Sequence, residues 1–84
     1  MVKITEIAPK ILKAFYDLYR ETPHGHFGKG IVFNKIKGEN IAEKDFDTAI
    51  QYLKLKGMID LTEYLSGNWM GKITAYGIEV IEIE

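Results

Sequence analysis

The stretch Phe46-Asp47-Thr48-Ala49-Ile50-Gln51-Tyr52-Leu53-Lys54-Leu55-Lys56-Gly57-Met58-Ile59 decides how this chain folds. Phe46, Ala49, Ile50 and Leu53 recur at i, i+3, i+4 and i+7, the spacing of one apolar helix face. Asp47, Gln51 and Lys54 fall outside that face, with Glu43 and Lys44 just upstream. Acidic Glu43 and Asp45 stand in the first turn and Lys54 and Lys56 in the last, each on the side that suits the helix dipole. Gly57 stops the helix, because glycine accepts the left-handed cap conformation without steric cost. Beyond it the period shortens: Ile59 and Leu61 alternate with Asp60 and Thr62, as in a half-buried strand.

Working outward, Ser66-Gly67-Asn68 is a turn and Met70 to Thr74 the returning strand of a hairpin. Thr74 then caps a closing helix whose apolar face is Ile78 and Ile81, joined by Val80. On the other side, Ile4, Ile7, Ala8, Ile11, Leu12, Phe15, Leu18 and Tyr19 form a second helical stripe. Lys10, Lys13, Asp17 and Arg20 take its outer face. Thr5 is a candidate N-cap, but Pro9 removes an early backbone bond. The regular helix is therefore expected from about Ala8, with Pro9 in its first turn. Thr22-Pro23 ends it, since a residue before proline is pushed out of the α region. Thr22 to Gly30 holds three glycines and both histidines and reads as a loop. The cluster Ile31, Val32, Phe33 and Ile36 fits either a two-turn helix closed by Gly38 or a short strand over residues 30–33.

These elements fit one α+β domain over residues 1–84, and the 46% hydrophobic content suffices for its core. The absence of cysteine excludes disulfides, thiolate zinc sites and cysteine nucleophiles. With no signal-peptide pattern at Met1 to Glu6 and no apolar run of roughly 18 residues, the expected location is the cytoplasm, without membrane contact. Ten lysines against one arginine, eight glutamates and twelve isoleucines match a pattern reported for thermophiles, which an AT-rich genome would also produce. The formal net charge of −1 hides a split: residues 1–42 carry seven basic and four acidic side chains, residues 43–84 four and eight.

The segment Phe46 to Ile59, with its Lys56-Gly57-Met58-Ile59 step, is similar to the third helix and first wing strand of winged helix-turn-helix domains. Ile73-Thr74-Ala75-Tyr76-Gly77-Ile78-Glu79 resembles the start of the helix that follows the wing in many of them. The resemblance implies a three-helix core, a two-stranded β-hairpin wing and a C-terminal helix. It also implies a small DNA-binding transcriptional regulator acting as a homodimer. Helices over about residues 31–38 and 43–57 would form the helix-turn-helix, with Lys44, Asp45, Asp47, Thr48 and Gln51 toward the major groove. Lys35 and Lys72 are among the lysines that would reach the DNA backbone, and the wing tip from Tyr64 to Gly71 would lie along it.

Glu43, Asp45 and Asp47 sit awkwardly on such a surface, because affinity for DNA comes largely from neutralising phosphates. The tip offers Tyr64, Leu65, Trp69 and Met70 in place of cations, an apolar patch of the kind that meets protein. A protein-interaction module is thus the alternative, and Trp69 is either a core anchor or an interface hot spot. No enzyme activity, cofactor or metal is expected. Ser66 is the only serine and lies in a turn remote from the histidines, and His24-x-His26 supplies too few ligands for a stable metal site.

Overall fold

The computed structural model describes residues 3–83. The order is α1 (Ile4–Glu21), β1 (Phe27–Gly28), α2 (Lys29–Lys35), a 3₁₀ turn (Lys37–Glu39), α3 (Glu43–Leu55), β2 (Ile59–Glu63), β3 (Trp69–Ile73) and α4 (Ala75–Ile83). The result is a small α+β domain: helices packed on a three-stranded antiparallel sheet of order β1-β3-β2. No helix among the described residues is long and apolar enough to cross a membrane.

α1 buries the expected stripe, from Ile7 and Ala8 through Ile11, Leu12 and Phe15 to Leu18. It begins at Ile4, a turn earlier than Pro9 suggested; the N-cap position is Lys3 rather than Thr5, and Pro9 lies inside the helix. An internal proline forfeits one backbone bond. Burial of Ile7 and Ala8, each 2% exposed, favours continuing the helix toward its N-terminus all the same. The other end is as expected: Glu21 is the last helical residue, and Thr22 closes it by donating its N–H to the Leu18 carbonyl at 2.8 Å.

The loop that follows is not structureless. Phe27 and Gly28 pair with Gly71 and Met70 of β3, so the expected two-stranded hairpin becomes a three-stranded sheet. Two residues carry no readable period; the pairing exists because β3 offers an open edge and Phe27 finds the core there. The cluster at Ile31 to Ile36 is helical, not a strand. Its helix begins at Lys29, and Gly38 falls within the 3₁₀ turn after it rather than closing it.

α3 buries Phe46, Ala49, Ile50 and Leu53. Gly57 has φ +77°, its N–H donates to the Lys54 carbonyl, and Met58 donates to the Leu53 carbonyl, both at 3.0 Å. That pair of bonds is the Schellman closure, and it aims the chain straight into β2. Ile59 to Glu63 pair in register with Ile73 back to Trp69. Trp69 is 4% exposed and stacks between Phe15 and Phe46, its ring 6.0 and 6.2 Å from theirs. Phe33 meets Phe46 edge-on at 5.0 Å, so the aromatic set ties α1, α2, α3 and the hairpin into one core.

Thr74 caps α4 as its position implied: its Oγ1 accepts the Gly77 N–H at 3.1 Å and donates to the Gly57 carbonyl at 2.7 Å. The end of α3 and the start of α4 are therefore joined through one hydroxyl.

Candidate nucleic-acid interface

Because Phe46, Ala49, Ile50 and Leu53 turn inward, helical geometry puts Lys44, Thr48, Gln51 and Leu55 on the opposite side of α3. All four are exposed, and they form one stripe at i, i+4, i+7 and i+11. Lys44 has no carboxylate partner among the described residues. The Thr48 hydroxyl donates to the Lys44 carbonyl at 3.0 Å, a local bond that leaves its methyl and lone pairs outward.

The carboxylates lie on the flanks of this stripe. Lys29, the first residue of α2, places its ammonium 3.0 Å from Asp47 and 3.6 Å from Glu43. The hydrogen bond to Asp47 is the main reason that the Lys29 ammonium holds its proton above the usual lysine range. Asp45 sits on the other flank, half-buried, on the side of Tyr52 seven residues on. On β2, Glu63 accepts bonds from Lys54 at 2.6 Å and Gln51 at 3.1 Å. These contacts, that of Lys54 foremost, hold its carboxyl below the usual range. They also clamp the hairpin against the middle of α3.

Of the residues expected to face DNA, then, Lys44, Thr48 and Gln51 share a surface, whereas Asp45 and Asp47 turn to its edges. Lys35 bonds Glu21 at 2.8 Å, linking the end of α2 to the end of α1. Lys72 stands opposite Asp60 in the hairpin register, with Met70 on the sheet face that points away from Trp69 and Ile73. Lys35 is thus spent on α1, and Lys72 stands on β3 rather than on α3 with Lys44.

Trp69 belongs to the core, so the apolar patch at the tip loses its largest member. Met70 is half-buried, while Tyr64 and Leu65 remain at 51% and 110% exposed. The tip is held by a bond from the Tyr64 N–H to the Asn68 carbonyl at 2.9 Å and another from the Gly67 N–H to the Tyr64 carbonyl at 3.0 Å. Ser66, Gly67 and Asn68 share a shallow cleft with Lys29, Phe33 and Glu43, so the tip stands beside the N-terminal end of α3. His24 and His26 are both exposed in their loop. Among the described residues no cluster of three or more histidine, aspartate or glutamate side chains could hold a metal ion.

Leu55 completes the outer stripe and was readable in advance, as an apolar residue four positions beyond Gln51 on the polar side of α3. The pairing of Glu63 with Gln51 and Lys54 had no such signal, since it joins residues 12 and 9 positions apart through the hairpin. Comparison with known protein families, with curated proteins and with solved structures finds no match to this chain.

Proposed function

We propose that the chain is a winged helix-turn-helix domain that binds duplex DNA, with α2 and α3 as the helix-turn-helix and the β2–β3 hairpin as the wing. The observation that carries this reading is the outer stripe of α3. Lys44 is free to approach a phosphate or a guanine edge, and Thr48 and Gln51 are side-chain types that read base edges. Gln51 spends one amide N–H on Glu63 and keeps the other as a donor and its carbonyl oxygen as an acceptor. Lys29 draws Asp47 and Glu43 aside, which lowers the repulsion that three carboxylates near a phosphate backbone would cause. A single module with so few free cations makes few phosphate contacts, so the functional unit is a homodimer on a two-part site, and the role is that of a small transcriptional regulator in the cytoplasm.

Fluorescence anisotropy with random-sequence duplex at low salt tests this. Binding near micromolar protein is expected, and Lys44→Ala should reduce the salt slope by about 1. No binding at about ten times that concentration refutes it.

The hairpin tip favours a second reading, a protein-interaction module. Tyr64 and Leu65 project with no cation between Glu63 and Gly71, a composition suited to an apolar pocket on another protein. If duplex binding fails and Leu65→Ser abolishes capture of a specific protein, this second reading replaces the first.

A further inference from the structure

α4 is apolar on nearly every side. Its nine residues include Tyr76, Ile78, Val80, Ile81 and Ile83, with only Glu79 and Glu82 charged. A helix of that kind is ordinarily buried all round. Here Gly77 alone is buried, while Tyr76 is 50% and Ile83 84% exposed. Tyr76, Val80 and Ile83 recur at i, i+4 and i+7, one outward stripe. Val80 also lines a groove of about 330 Å³ between α4, Met58 and the N-terminal half of α1, where Ala8, Pro9 and Leu12 form the wall. Stripe and groove are thus one continuous apolar surface.

We infer that this surface is covered by a second copy of the chain, the α4 stripe of each protomer lying in the groove of the other about a twofold axis. Two complementarities select the occupant. The first is charge: α4 carries no cation, and of its two carboxylates Glu82 accepts the Tyr16 hydroxyl at 2.7 Å while Glu79 has no partner among the described residues. The α1 rim of the groove carries Lys13, held 2.9 Å from Asp17 in an exposed i,i+4 pair weak enough for the partner's Glu79 to replace. The second is hydrogen bonding. Pro9 has no N–H, so the Thr5 carbonyl lacks its helical donor, and both residues line the groove. The Tyr76 hydroxyl, on the stripe, is a donor with no partner among the described residues. The chain therefore holds both halves of the contact, and a twofold axis uses each half twice. This pairing stands whether or not the domain binds DNA.

Sedimentation equilibrium of the intact chain without DNA, from about 1 to about 500 µM, tests it. The wild type should pass from monomer to dimer within that range. Ile83→Glu, at an exposed position, should stay monomeric with an unchanged circular dichroism spectrum. Glu79→Lys and Lys13→Glu should each weaken association roughly tenfold, and the double variant should recover it. A wild type monomeric throughout, a dimer indifferent to Ile83→Glu, or a double variant no stronger than the singles overturns the inference.

Discussion

Two glycine-to-alanine substitutions in helices, Gly77→Ala and Gly30→Ala, should change stability in opposite directions. A Cβ on Gly77 would collide with the Met58 carbonyl oxygen and lie 2.7 Å from Cγ1 of Ile73. Ordinary contact begins near 3.4 Å, so α4 must retreat by about 1 Å from the hairpin. The obstructing oxygen is backbone and accepts the Thr74 N–H at 3.0 Å, so it cannot rotate away without loosening the α4 cap. Alanine gains about 1 kcal/mol in helix propensity. Overpacking of this kind takes away about 1–3 kcal/mol, and a rigid obstacle puts it at the upper end. The net is a loss of about 2 kcal/mol, or a Tm lower by about 10 °C for a domain of this size. At Gly30, in the first turn of α2, a Cβ meets nothing within 4 Å. There alanine should raise stability by about 0.5 kcal/mol. Thermal and urea unfolding followed by circular dichroism measure both. A Gly77→Ala protein as stable as the wild type would refute the close docking of α4 on Met58.

Trp69→Ala should cost about 3–5 kcal/mol in urea unfolding, because the indole fills the space between Phe15 and Phe46. In the wild type its fluorescence should resist acrylamide quenching, and ready quenching would contradict a core position. Leu65→Ser, by contrast, should shift stability by no more than about 0.5 kcal/mol, since that side chain is fully exposed. Lys54 and Gln51 hold the Glu63 carboxyl below its usual value of 4.5, so its contribution is complete above that pH and is lost as pH falls below it. Glu63→Gln should therefore be less stable than the wild type at about pH 7, with the gap narrowing as pH falls toward about 3, as urea midpoints at the two pH values would show. A stability gap that stays constant between them would rule out the ion pair as its source.

The periodic elements were legible in advance because their apolar spacing is local. α1, α3, the hairpin and α4 all follow from stripes and stop signals within a dozen or so residues of one another. The Schellman closure at Gly57 and the Thr74 cap are local in the same way, each resting on one residue type in one backbone position. The candidate site was legible only in part: Lys44, Thr48 and Gln51 follow from the helical wheel, while the charge state of the surface around them does not.

What composition and periodicity determined, then, is the α+β class, the order of the main elements and the faces they bury. Tertiary structure decided that α1 runs through Pro9, that Phe27 and Gly28 add a third strand, and that Trp69 points inward. It also decided that Lys29 answers Asp47 and Glu63 answers Lys54. The physical reason is common to these features. Each depends on burial or pairing between residues brought together by the fold. The stripe from Ile4 was periodic, but only its burial outweighs the bond lost at Pro9, and the pairings of Phe27, Lys29 and Glu63 leave no period in the chain at all.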